Sequence, residues 1–209
     1  MNARASAALL LAACTLHAIA VESGEAATER ADQVMRESFG STTPEQWRVG
    51  LAQDEVQRLC SLYRDKVPPT IGEKIAAMSQ ASMRYPDSGK LLGDWREGQK
   101  LASTVTGGHV STIQPEPADR TRGGNCYACH ALDPAEVAAG DLGPSLTHYG
   151  RVHGTSPATI KFVYDKIYNA QGSYPCSLMP RFGRNGWLTP EQVADSVAFL
   201  LDPKSPVNK

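Results

Sequence analysis

The run Cys126-Tyr127-Ala128-Cys129-His130 restricts the folding of this 209-residue chain more than any other feature. Two thiols three positions apart can add to the two vinyl groups of one porphyrin, and the histidine that follows is then held beneath the iron as its proximal ligand. This C-x-x-C-H spacing is the signature of covalent haem c attachment, one group per motif. Two other uses of paired thiols fit less well. A thioredoxin-like dithiol needs a strand-helix-strand setting, and a zinc site needs a second ligand pair at similar spacing; the sequence offers neither. The surroundings agree with the haem reading. From Thr104 to about Thr155 the chain is rich in Gly, Thr and Pro, interrupted only by the motif. A compact domain rarely keeps about 50 residues irregular unless a ligand or cofactor organises them.

Around that stretch the pattern is helical. Thr43-Pro44-Glu45-Gln46 and Thr189-Pro190-Glu191-Gln192 each offer a capping hydroxyl, proline at the first helical position and glutamine three residues after the cap, and Ser156-Pro157 repeats the first half of the signal. Helices are expected over 54–65, 71–83, 90–104, 157–169 and 190–201. No alternating run of strand length stands out, so the fold class is mainly α. Segment 27–86 reads as a polar helical extension punctuated by Pro68-Pro69 and Pro86, ahead of a domain over 87–209. Gly98 could let the helix that starts near Gly93 approach the terminal helix closely, where Val193, Val197, Phe199, Leu200 and Leu201 supply an apolar face.

Residues 1–26 have the layout of a secretory signal peptide: Arg4, an apolar stretch from Ala5 to Ala13, and small residues suited to cleavage after Ala20 or Ala26. The same stretch also contains Leu11-Ala12-Ala13-Cys14, which could be a lipoprotein processing site with Cys14 as the lipidated terminus. Either route delivers the chain outside the cytoplasm, and the periplasm is the expected compartment. Beyond the leader no run is long and apolar enough for a membrane span. With 21 Lys+Arg against 22 Asp+Glu, nothing argues for a nucleic-acid partner.

The axial ligands and their supports can then be sought. Gly143-Pro144-Ser145-Leu146 follows His130 by thirteen residues, and in class I cytochromes c such a turn has its proline carbonyl accept a hydrogen bond from the proximal imidazole. For the sixth ligand the candidates are Met35, Met78, Met83, Met179, His109, His148 and His153. Met179, followed by Pro180 just ahead of the capped final helix, has the suitable placement. Met78 and Met83 read as packing residues, and His148 and His153 as solvated histidines of a glycine-bounded loop. With Cys126 and Cys129 committed, Cys60 and Cys176 remain, an even number in an oxidising compartment, and a disulfide between them is expected. A buried free thiol at Cys60 and an intersubunit bond from Cys176 are the alternatives.

The segments Gly124–His130, Leu142–Leu146, Asn169–Gly186 with its Met-Pro-Arg-Phe-Gly-Arg-Asn-Gly stretch, and Leu201–Asn208 together resemble the SoxX family, over about residues 90–208. SoxX chains are the small monohaem subunits of the SoxAX cytochrome complexes of sulfur-oxidising bacteria. The resemblance implies a class I cytochrome c-like domain with one covalent haem c, attached through Cys126 and Cys129, with His130 and Met179 on iron and Pro144 supporting His130. It also implies an enzymatic role as the electron-transfer subunit of a heterodimeric L-cysteine S-thiosulfotransferase. Thiosulfate would be joined oxidatively to a cysteine of a SoxYZ carrier, the catalytic cysteine would lie on a SoxA-like partner with one or two haems, and the electrons would pass through this chain to a soluble cytochrome c. The alternatives are a free-standing periplasmic electron carrier, with Arg120, Arg122, Arg151, Arg181 and Arg184 as propionate or partner anchors, and a haem-based gas sensor with an open sixth site.

Overall fold

Helix α5 (Trp95–Ser103) and helix α8 (Pro190–Leu201) cross where α5 has no side chain. A β-carbon at Gly98 would collide with the backbone oxygen of Asp195 and come within 2.8 Å of Phe199 Cβ. The approach is locked from the N-terminal side as well. The Gly93 amide donates to the Ala194 carbonyl at 3.0 Å, and the Asp94 amide to the Asp195 carboxylate at 2.8 Å. Asp94 in turn caps α5 by accepting from the Arg96 amide. We expect Gly98→Ala to destabilise the fold by about 3 kcal/mol, the upper end for overpacking, because the opposing atoms belong largely to the backbone of a packed helix and cannot turn away. Denaturant unfolding of the variant measures this.

The computed structural model describes residues 24–64, 66–106, 119 and 121–209, and among them there is no strand. The signal or lipoprotein segment therefore lies outside the described residues up to position 23. No helix among the described residues is long and apolar enough to cross a membrane. The mainly α fold class of a class I cytochrome c-like domain holds.

The larger core is built on α8, whose Val193, Ala194, Val197, Phe199, Leu200 and Leu201 are all buried. Its start is fixed by a capping box in which Thr189 and Gln192 each satisfy the other's backbone amide. Helix α7 (Pro157–Tyr168) lays Val163, Tyr164, Ile167 and Tyr168 against it. The C-terminal tail closes the far end. Asn208 donates to the carbonyls of Leu200 and Asp202 and accepts from the Arg151 amide, and the Ser205 hydroxyl donates to Phe199 O at 2.5 Å.

The extension contains helix α1 (Gly24–Ser38), one turn of α2 (Pro44–Gln46) running into a π-type turn (Trp47–Leu51), α3 (Glu55–Tyr63) and α4 (Pro69–Ala81). It has a small core of its own, Val56, Leu59 and Ile75, with Met78, Ile71 and Cys60 around them. It is also bound to the rest of the chain. The Gln80 amide group donates to Gly172 O at 2.9 Å, Asn169 donates to the Ser82 hydroxyl at 3.1 Å, and the Tyr164 hydroxyl donates to Arg84 O at 2.8 Å. The Tyr85 and Tyr164 rings lie 5.3 Å apart. Every one of these attachments is made to residues 164–172, directly before the segment that contains Met179.

Two helices were not among the expected ones. The first is helix α1, whose residues are all at least partly exposed. Helix α6 (Tyr149–His153) is a single short turn that starts from His148 in the left-handed region, φ 58°, and includes Gly150. Neither residue is a helix signal.

Candidate haem-attachment site

The C-x-x-C-H run is held by its own backbone and by the glycines around it. Asn125, at φ 45°, turns the chain into a 3-10 turn over Cys126–Ala128, and the amides of Cys129 and His130 both donate to Cys126 O. The following loop folds back on the motif through three further bonds: Gly140 N to Tyr127 O, Gly143 N to Cys129 O and Leu146 N to Ala131 O, each 2.8 Å. Gly143 rests against the face of His130. A β-carbon there would lie 2.6 Å from Nδ1 and closer still to Cε1, so only glycine permits this approach.

His130 Nδ1 lies 2.7 Å from the carbonyl oxygen of Pro144. A carbonyl can only accept, so the proton sits on Nδ1 and the lone pair is left on Nε2, the form in which an imidazole binds a metal. The bond also fixes the orientation of the ring and raises its basicity as a ligand.

Cys126 and Cys129 are free thiols, and burial pushes the Cys126 thiol up to about 12, with the neighbouring Cys129 adding to the rise. An activated redox dithiol has a depressed value instead. Among the described residues no group of three or more His, Cys, Asp or Glu side chains is gathered as a zinc site requires. A covalently attached porphyrin fits what is present: two partly buried, uncommitted thiols, a histidine whose second nitrogen is free, and a glycine that keeps the ring clear.

Met179 is half-buried and borders the larger core, together with Cys126, Tyr127, Leu146 and Trp187. Leu178 beside it is fully exposed, so the turn sends one side chain outward and the next one in. Phe182 connects this segment to the attachment motif. A β-carbon at Gly124 would stand 3.1 Å from Cys126 Sγ and 3.7 Å from Phe182 Cε1, so ring and thiol line the same small space. Farther along, the amides of Gly183 and Arg184 both donate to Tyr168 O at 3.1 Å.

Two cross-links run from the extension into the Met179 segment. Cys60 of α3 and Cys176 are joined in a disulfide, with α-carbons 5.3 Å apart, and Cys176 adopts φ 60°, a left-handed conformation unusual for a residue with a side chain. Arg181, 7% exposed, donates through Nη1 to Asp54 Oδ2 at 2.7 Å. The other oxygen of Asp54 caps α3 by accepting from the Gln57 amide. No sequence signal marked Asp54 as part of this site, because its partner lies 127 positions away.

Other expectations are placed as follows. Met78 packs in the small core and Met83 against the larger one. His153 is exposed, at the end of α6. His148 is not a solvated loop histidine: it precedes α6, its amide donates to Val207 O, and its Nδ1 is buried with no partner among the described residues. His109 and Arg120 lie outside the described residues. Arg122 donates to Gly186 O at 2.5 Å, and Arg151 is exposed on α6.

Burial raises the Asp54 carboxyl, but the Gln57 amide, Arg181 and Arg184 outweigh it and hold the group below its ordinary value. Because the folded value is depressed, the stabilisation is complete above the unfolded value of about 3.9 and is lost as pH falls through the folded one. Asp54→Asn keeps a capping side chain and removes the charge. It should cost roughly 2 kcal/mol near pH 7, discounted because Asp54 is partly exposed, and the gap to the unsubstituted protein should close toward pH 2. Denaturant unfolding of both proteins at pH 7 and at low pH checks this.

The cytochrome c family profile matches residues 96–203. Over 168 residues the chain is 42% identical to an uncharacterized lipoprotein of Aquifex aeolicus (strain VF5), an alignment that spans 79% of this chain and 78% of that protein.

Proposed function

Because the chain belongs to the cytochrome c family, in which haem c is bound covalently and transfers electrons, we propose that it is a monohaem electron-transfer subunit of the SoxX type. Haem c, when bound, supplies a one-electron ferric/ferrous couple. Everything else in this reading is done by the chain's own residues. Cys126 and Cys129 would hold the porphyrin, His130 would present Nε2 to iron, the Pro144 carbonyl fixes that ring, and Met179 would supply a thioether as a second ligand. The observation that carries the reading is the His130 Nδ1 bond to Pro144 O, which leaves the metal-binding nitrogen free beside two uncommitted thiols.

The SoxX assignment within the family rests on the Asn169–Gly186 and Leu201–Asn208 segments. In this reading the chain takes electrons from a SoxA-like subunit while thiosulfate is coupled to a SoxYZ cysteine, and passes them to a soluble cytochrome c. Among the described residues no cysteine is left for catalysis in this reading: Cys60 and Cys176 are bonded to each other, and Cys126 and Cys129 are reserved for haem. We further propose an extracytoplasmic location with a lipid anchor at Cys14. Leu11-Ala12-Ala13-Cys14 supports it, as does the name of the Aquifex relative, an uncharacterized lipoprotein.

Purification of the tagged chain from its native membrane and soluble fractions tests both points. A heterodimer whose haem is reduced by thiosulfate in the presence of the carrier supports the SoxX role. Elution of the chain alone, with no thiosulfate-dependent reduction, overturns it and leaves the free-standing carrier. Detergent-phase partitioning that Cys14→Ser abolishes supports the anchor.

A further inference from the structure

The Cys60–Cys176 bond lies in a place that suits a thiol as well as a disulfide. Cys60 Sγ is 3.6 Å from the side-chain oxygen of Gln171, a residue only 7% exposed. That is a fitting distance for a thiol donating to an amide oxygen, sulfur being the larger atom. A disulfide sulfur carries no hydrogen, so in the bonded form the contact is not a hydrogen bond, and among the described residues no other donor reaches Gln171 Oε1. A buried acceptor without a donor is costly, and a thiol at Cys60 would satisfy it where it stands. The oxidised pair thus leaves unmet an oxygen that the reduced pair meets.

The surroundings confine what opening the bond would release. Upstream, Gly172 O accepts from Gln80 at 2.9 Å; downstream, Arg181 is held by Asp54 at 2.7 Å. Both attachments are independent of the disulfide, so reduction frees the chain between them, residues 173–180, and leaves the extension docked. Cys176 stands in the middle of that span at φ 60°, and Met179 follows three residues later. The span is at the surface. Ser173, Tyr174 and Pro175 are exposed and Leu178 is fully so, which makes the half-buried Cys176 the sulfur that a reagent from outside can approach.

We propose that the Cys60–Cys176 pair is a reversible redox switch on the distal ligand, opened by a protein dithiol: bonded, it holds Met179 in place for iron, and reduced, it lets the thioether leave. A thiolate of the dithiol bonds to Cys176 Sγ and breaks the bond to Cys60, which departs as a thiolate, takes up a proton and then donates a hydrogen bond to Gln171 Oε1. The second thiol of the dithiol attacks the mixed disulfide and releases Cys176 as a thiol. The chain gains two electrons and two protons, and the dithiol leaves as a disulfide. This rests on the haem and Met179 readings above.

The test uses the full-length haem-bearing protein, kept ferrous by ascorbate, with dithiothreitol as the dithiol. Carbon monoxide can bind the iron only while Met179 is off it, so the binding rate reads the ligand. Dithiothreitol should speed binding about tenfold, the scale of the conformational cost held at Cys176, and oxidised dithiothreitol should restore the original rate. Protein with Cys60→Ser and Cys176→Ser together should bind fast throughout and ignore dithiothreitol. Gln171→Leu removes the acceptor, and the ratio of reduced to oxidised dithiothreitol needed for half-opening should rise about fivefold. Alkylation counted by mass spectrometry shows when the bond is open. A carbon monoxide rate that is the same with the bond open and closed overturns the switch, as does a bond that dithiothreitol leaves closed in the folded protein. An unmoved ratio in Gln171→Leu overturns the part given to that acceptor. Two results strike the underlying readings instead: Met179→Ala binding carbon monoxide no faster than the bonded, unsubstituted protein removes Met179 from iron, and absence of covalent haem on a denaturing gel removes the haem.

Discussion

Replacing Cys60 and Cys176 together by serine is expected to lower the stability of the folded protein by up to about 5 kcal/mol. The bond spans a sequence separation of 116, and closing so long a loop removes much of the freedom of the unfolded chain; the chain-entropy relation gives the quoted figure. This is an upper value, because the small core of the extension and the bonds from Gln80 and Ser82 to residues 169–172 would keep part of the arrangement without the disulfide. A local effect should accompany the global one. Cys176 holds a left-handed backbone conformation three residues before Met179, and without the bond that turn is free to relax. Guanidinium unfolding of the haem-bearing protein, with and without reductant, gives the stability change. An unfolding midpoint unmoved by the double substitution would show that the loop is held by the Asp54–Arg181 pair and the neighbouring hydrogen bonds alone.

The parts of this structure that were legible in the sequence are those written in local chemistry. Thr189-Pro190-Glu191-Gln192 starts a helix because a hydroxyl, a fixed proline φ and a glutamine amide satisfy the first turn within four residues, and α8 begins there. Gly98 could be read as a crossing point because a missing side chain on an amphipathic helix has few other uses, and the crossing is where that residue placed it. The attachment motif is likewise local. What was hidden depends on partners far along the chain. Asp54 caps α3, and nothing near it in the sequence announces a buried arginine at position 181. His148 sits between a threonine and a tyrosine in a run bounded by glycines, and only the tail residue Val207, which receives its amide, shows that the site is enclosed. Helix α1 was invisible for another reason. Its residues are polar on average and none is buried, so what keeps it helical must include packing, such as the contact of Gly24 with Leu62.

These hidden links change what the extension is for. A polar helical segment ahead of a haem domain could be a spacer, yet here the side-chain attachments reach residues 161–184, and two of them, the disulfide and the ion pair, flank Met179 on either side. A thioether is a neutral ligand bound to iron through one sulfur, so its occupancy depends on how firmly its loop is held, whereas His130 is fixed by its own neighbours Gly143 and Pro144. The largest functional effect should therefore come from Met179→Ala. The expected result is loss of the weak charge-transfer band at the red end of the oxidised spectrum, a fall in reduction potential, and an open coordination position that binds carbon monoxide in the reduced state. Met78→Ala is the control, because Met78, on α4, packs against the small core of Val56, Leu59 and Ile75. It should cost stability through the cavity it leaves, by about 2 kcal/mol or more, and leave the spectrum unchanged. Survival of the red band in Met179→Ala, or its loss in Met78→Ala, would remove Met179 from the iron and with it the reason for clamping this loop.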